Sequence, residues 1–109
     1  MKKKDIVQKK KDFNDIIKQN SFLSSSYFTL YKRKNETNKP KFGIAVSKKN
    51  GNAVLRNKLK RQYRNIITEN YFNFPKEYDY IIMVKKASID AVYKEMSESM
   101  KNTLESEEK

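Results

Sequence analysis

The segment from Ala53 to about Asn70 constrains this chain most, because at about 100° per residue it has two faces of opposite character. Leu55, Leu59, Tyr63 and Ile66 share one side, while Arg56, Asn57, Lys60, Arg61 and Arg64 cover the other. Such a helix must bury the first side against other elements and leave the second free, and the fold has to be built around that demand. Asn52, after the turn Lys48-Lys49-Asn50-Gly51, is placed to cap its start. Gly51 serves that turn, where a positive φ is useful.

The charge is unevenly spread. Residues 1–64 hold 19 basic and 4 acidic residues, net +15, whereas residues 65–109 hold 6 and 9, net −3. The total of +12 on 109 residues points to a polyanionic partner met by the first part of the chain, against the plainer reading of a highly charged soluble protein. Of 25 cations only four are Arg, yet Arg56, Arg61 and Arg64 fall within nine residues. A guanidinium grips phosphate with two donors and stacks on bases, which an ammonium cannot do, so this cluster reads as Arg required by geometry rather than a solvated face.

Elsewhere, residues 9 to 20 read as a short helix with Phe13, Ile16 and Ile17 on its apolar side, ended by Asn20 and Ser21. Residues 21–34 read as a half-buried strand, with a short one before it at Phe22 and Leu23. Phe28, Leu30 and Lys32 take one face; Tyr27, Thr29, Tyr31 and Arg33 take the other. After a polar loop to Pro40, Phe42 to Val46 is a second strand that pairs most simply with the first as a hairpin. Phe74-Pro75-Lys76-Glu77 breaks the basic helix before Tyr78 to Val84, the best buried strand. A last helix from about Ile89 carries Ile89, Val92, Tyr93, Met96, Met100 and Leu104 as a core stripe.

These elements give an α+β class: one domain over 1–109, a small mixed β-sheet packed with three helices in the order α-β-β-β-α-β-α, as a two-layer sandwich. Residues 1–8 read as a basic flexible lead-in and 105–109 as an acidic flexible tail.

With no Cys and no His, disulfides, thiol nucleophiles, Ser-His-Asp arrangements and zinc sites are closed to this chain. Two glycines, Gly43 and Gly51, are too few for a glycine-rich nucleotide loop or a GxxG clamp. No protein active site, bound metal or small-molecule substrate is expected. The longest apolar run, Tyr80 to Val84, is far short of the roughly 20 residues that span a bilayer. The basic start is not followed by the apolar stretch of a signal peptide. A cytoplasmic location without membrane contact is expected. Phe13, Tyr27, Phe28 and Tyr31 near one sheet suggest stacking on single-stranded RNA, although strands also bury aromatics routinely.

The run from Phe42-Gly43-Ile44-Ala45-Val46-Ser47-Lys48-Lys49-Asn50-Gly51-Asn52 through Ala53-Val54-Leu55-Arg56-Asn57-Lys58-Leu59-Lys60-Arg61-Gln62-Tyr63-Arg64 closely resembles the signature of the bacterial ribonuclease P protein subunit. Lys11-Asp12-Phe13, Phe28-Thr29-Leu30-Tyr31 and Tyr78-Asp79-Tyr80-Ile81-Ile82 extend the likeness over nearly the whole chain. The resemblance implies a protein that serves a ribozyme. In that family the RNA subunit, using magnesium, removes the 5′ leader of precursor tRNA, and the protein supplies binding.

It further implies ribonuclease P RNA contacts at Lys48, Lys49, Asn52, Arg56, Asn57, Lys60, Arg61 and Arg64, and a leader cleft at Phe13, Ile17 and Tyr31. The family fold is ribosomal-protein-like, with the basic helix in a left-handed βαβ crossover. Two departures stand out: Lys58 closes what is usually an Arg-Asn-Arg triplet, off the basic stripe, and Ile17 stands where an aromatic is common. From charge alone, a ribosomal or other structural RNA-binding protein is the alternative, and a protein nuclease acting without RNA is the third reading.

Overall fold

The computed structural model describes residues 6, 10–18 and 21–107. In chain order the elements are α1 (Lys10–Lys18), β1 (Phe22–Ser24), β2 (Phe28–Lys34), β3 (Phe42–Val46), α2 (Ala53–Glu69), β4 (Tyr78–Val84) and α3 (Tyr93–Glu107). Asp12 in the first turn of α1 and Lys18 in its last suit the helix dipole. The four strands form one mixed sheet in the order β1-β2-β4-β3, as the α+β reading requires.

β2 does not pair with β3, which corrects the expected hairpin. Instead β4 lies between them, antiparallel to β2 along seven residue pairs from Phe28↔Val84 to Lys34↔Tyr78, and parallel to β3 from Phe42↔Tyr80 to Val46↔Val84. The reason lies in burial. Tyr80, Ile81, Ile82 and Val84 are all buried, so β4 is apolar toward both faces and takes the centre of the sheet. The loop after β2 crosses β4's end and is tied down there. Asn35 accepts from the backbone N–H groups of Thr37 and Asn38 and donates to the Lys39 and Lys76 carbonyls. The buried Asp79 carboxylate accepts from the Lys41 N–H at 3.1 Å, from Asn35 at 3.1 Å and from Arg33 at 3.4 Å. Asn38, at φ 57, holds the left-handed conformation that Asn tolerates.

One face of the sheet presents Phe28, Leu30, Phe42, Tyr80, Ile82 and Val84 to Leu59, Tyr63, Ile66 and Ile67 of α2. Met96, Met100 and Leu104 of α3 complete that cluster. Each such side chain, once fully buried, contributes about 1.5–3 kcal/mol. Polar links tie the layer together. The Tyr63 hydroxyl meets Ser88 Oγ at 2.8 Å, and Ser88 donates to the Tyr27 carbonyl. Tyr93 and Ser97 of α3 both donate to the Glu69 carboxylate at the end of α2. The other face carries α1, whose Ile16 is fully buried.

Several expected boundaries shift. Ile89 lies just after a 3-10 turn at Lys86–Ser88, and Val92, 61% exposed, is outside the core stripe because α3 begins only at Tyr93. Residues 105–107 continue α3, so the acidic tail is helical that far; 108 and 109 lie outside the described residues. Of the expected basic lead-in, Ile6 forms a parallel bridge with Phe42 on the outer edge of β3, and the rest of 1–8 lies outside the described residues, as do 9, 19 and Asn20.

Candidate nucleic-acid interface

The basic surface begins where β3 ends. Ser47 accepts from the Lys49 N–H at 3.2 Å and starts the 3-10 turn Lys48–Asn50. Gly51 follows at φ 145, a conformation that favours glycine, and a Cβ there would also come within 2.6 Å of Leu55 Cδ2, so that the Leu55 side chain would have to shift. Asn52 then caps α2, its side-chain oxygen accepting from the Leu55 N–H at 2.9 Å, an interaction worth about 1 kcal/mol. This sequence of turns leaves Lys48, Lys49 and Asn52 exposed around a helix start whose first turn holds no acid. The positive end of the helix dipole and two ammonium groups thus act in the same direction.

Along α2 the sequence reading of two faces holds. Asn57, Arg61 and Arg64 are exposed; Arg56 and Lys60 are half-buried at the stripe's margin. Arg56 Nε is buried without a hydrogen-bond partner among the described residues. No carboxylate of the described residues pairs with Arg56, Lys60, Arg61 or Arg64; the ion pair of Arg33 with Asp79 lies apart from them, between β2 and β4. Among the described residues the stripe is therefore positive charge without a carboxylate partner, with Arg61 and Arg64 exposed to solvent. Lys58 is exposed as well.

Strand alternation sets Tyr31 on the sheet face that carries α1, and its register partner Phe22 lies beside it with ring centroids 5.7 Å apart. Phe22 is 51% exposed. Phe13 packs over the same face, so close to β3 that a Cβ on Gly43 would sit 3.2 Å from its ring. Ile17, one turn on from Phe13, is half-buried on α1. At the free edge of β3 a cleft of about 140 Å³ is lined by Phe13, Phe42 and Gly43 from the sheet side and by Lys60 and Arg64 from α2. Phe13 is thereby brought next to the cations of α2, and Tyr31 next to Phe22.

Two of the aromatics considered for stacking are placed otherwise. Phe28 is fully buried in the core, edge-on to Tyr63, and Tyr27 donates its hydroxyl to Glu95, a hydrogen bond that raises its pKa. Lys32 also faces the core side, over the Tyr78 ring at 4.7 Å, where burial lowers its pKa. Sequence reasoning missed Phe22 as a site residue. The short strand at Phe22 and Leu23 was legible, but its register was not: the structure pairs Ser24 with Thr29 across the turn at residues 25–27 and so sets Phe22 opposite Tyr31.

A larger depression, about 370 Å³, runs along α3 between Glu95, Glu98 and Ser106, but its carboxylates repel phosphate. No helix among the described residues is long and apolar enough to cross a membrane.

An uncompensated cation stripe joined at a sheet edge to an aromatic cleft defines an α+β protein that binds a polyanion with exposed rings, which is the chemistry of RNA. The comparisons with known proteins agree. A family model described as Ribonuclease P matches residues 1–108. The chain is 38% identical to the ribonuclease P protein component of Mycoplasma capricolum, over 89% of this chain and 90% of that protein. It is 34% identical to that of Streptococcus pneumoniae serotype 4, over 95% and 85%. A solved Staphylococcus aureus RNase P protein, a mutant with defective mRNA degradation activity, superposes with a TM-score of 0.87 at 30% identity, over 97% of this chain and 90% of that one. The chain belongs to the ribonuclease P protein family, as a protein component of that ribonuclease.

Proposed function

We propose that the chain binds the catalytic RNA of ribonuclease P through Lys48, Lys49, Asn52, Arg56, Asn57, Lys60, Arg61 and Arg64, and holds the 5′ leader of precursor tRNA against Phe13, Ile17 and Tyr31. Bound this way, it promotes endonucleolytic removal of the leader to give the mature tRNA 5′ end. The observation that carries this reading is the cleft at the edge of β3, where Phe13 and the α2 cations Lys60 and Arg64 line one space. A strand of RNA there has its phosphates near cations and its bases near rings. Phe22 extends the ring surface beyond Tyr31.

Cleavage itself is assigned to the RNA, with the magnesium that the RNA requires. The side-chain inventory is in keeping with this division: without His or Cys, acid and base work by the protein would fall to carboxylates, Lys or Tyr, and most of its acids lie after residue 65, away from the basic part of the chain. The protein's work is binding and orientation. Screening of phosphate repulsion by the α2 stripe lowers the magnesium concentration at which the RNA performs.

The test is cleavage of precursor tRNA at low magnesium by a bacterial ribonuclease P RNA, with and without the protein, and by the protein alone. Stimulation that needs both components is the expected result. Cleavage by the protein alone would assign catalysis to the chain, and tight RNA binding without stimulation would return it to the structural RNA-binding class.

A further inference from the structure

Phe72 is the most exposed large apolar side chain among the described residues, at 89%. A single exposed ring needs no explanation in general. Here the surroundings supply one. The 3-10 turn Tyr71–Asn73 that follows α2 is held on both sides. Asn70, buried, donates its side-chain amide to the Ile66 carbonyl at 2.9 Å, and the Asn73 and Phe74 N–H groups close the turn onto Asn70 and Tyr71. Phe74 is buried edge-on against Phe42 and Tyr80, with centroids 5.0 Å away in each case. Tyr71, half-buried, packs on Phe42 at 6.1 Å. The core thus uses the rings on either side of Phe72 and fixes the turn, while Phe72 points outward from a rigid base.

The position of that base matters. Phe42 lines the cleft that also holds Lys60 and Arg64, and from it a continuous row of rings runs through Tyr71 to Phe72, whose ring stands 5.6 Å from Tyr71 and nearly perpendicular to it. The nearest acid in sequence, Glu69, is engaged by Tyr93 and Ser97 of α3. The row leads out of the cleft from a cationic origin and ends in an open aromatic face.

We propose that Phe72 is a stacking platform for an unpaired RNA base, placed beyond the cleft at the edge of β3 and reached by a strand whose phosphates lie near Lys60 and Arg64. This rests on the reading of the α2 face as an RNA surface. Base stacking on an exposed ring is tolerant of sequence, so the platform adds affinity rather than base selectivity. The unpaired base comes either from the precursor tRNA leader or from a single-stranded segment of the RNA subunit, and the two sources separate experimentally.

The experiment uses the full chain with ribonuclease P RNA, comparing the wild type with Phe72→Ala, Phe72→Trp and Arg64→Glu. Affinity is measured for the RNA subunit alone and, in the holoenzyme, for precursor tRNAs with leaders of graded length. Phe72→Ala is expected to keep the wild-type melting temperature and lose about tenfold in affinity, the effect of one stack, with Phe72→Trp restoring it. Loss only with long leaders assigns the base to the leader; loss with the RNA subunit alone assigns it to that subunit. Wild-type affinity for Phe72→Ala in every arm, no rescue by Trp, or a Phe72-dependent self-association seen in sedimentation would overturn the platform. Arg64→Glu reports separately: if it too binds like wild type, the basic-face reading itself is wrong.

Discussion

Gly43 lies under the Phe13 ring, close enough that a methyl group at this position would be crowded by it. A Cβ on Gly43 would lie 3.2 Å from Phe13 Cε2 and 2.6 Å from the buried Ile81 Cδ1. Gly43→Ala is therefore expected to displace the Ile81 side chain, to press on the Phe13 ring and to cost about 1–2 kcal/mol of stability. Because the shift falls on Phe13 and not on α2, affinity for precursor tRNA should drop more than affinity for the RNA subunit. Thermal melting and the two binding isotherms check both parts; equal losses would show that α1 does not bear on the leader.

The α2 stripe predicts a contrast in charge reversal. Arg56→Glu combined with Arg61→Glu should release the RNA subunit and reduce the salt slope of binding by about 2, one for each phosphate that is no longer neutralised. Glu105→Lys, on the exposed side of α3, should leave both unchanged. Binding titrations over a series of salt concentrations measure the slope directly, and like behaviour of the two variants would contradict the assignment.

Alkaline pH should act through the core. Burial pushes the Tyr63 hydroxyl up from 10.0 to about 12, against a smaller downward effect of its bond to Ser88, and burial raises Tyr80 as well. The folded state thus holds these protons more tightly than the unfolded chain does. Their stabilising contribution is complete below pH 10 and falls as pH rises from there toward 12, by up to about 1.4 kcal/mol per pH unit for each group. Tyr63→Phe costs about 1 kcal/mol at neutral pH because the hydrogen bond is removed, yet its stability should decline less steeply above pH 10. Urea unfolding midpoints from about pH 8 to about pH 12 test the slope.

The helical parts of this fold were legible because their signals are local. Asn52 as cap, the Leu59-Tyr63-Ile66 side of α2 and its Arg61-Arg64 side all follow from residues a few positions apart, and the structure places them as read. The order of strands was not legible in the same way. β2 and β3 are neighbours in sequence, but it is β4, buried toward both faces, that must occupy the centre, and that choice depends on burial summed over the whole sheet. The rings were legible only in part: Phe28 and Tyr31 could be read onto opposite faces of one strand, but which of the two faces the core depends on where α1 and α2 pack. Phe72 carried no sequence signal, since it sits in a turn between two rings that the core takes.

The cations gathered on α2 also tie the protein's folding stability to its occupancy by RNA. Folding gathers Arg56, Lys60, Arg61 and Arg64 onto one helix side with no carboxylate of the described residues to offset them, so the free chain folds against its own repulsion. A bound polyanion removes that repulsion and stabilises the folded state by mass action, by about 2.7 kcal/mol when RNA stands at a hundredfold excess over its dissociation constant. Copies without RNA are by that margin the less stable population, so melting temperature should rise with added RNA at fixed protein concentration.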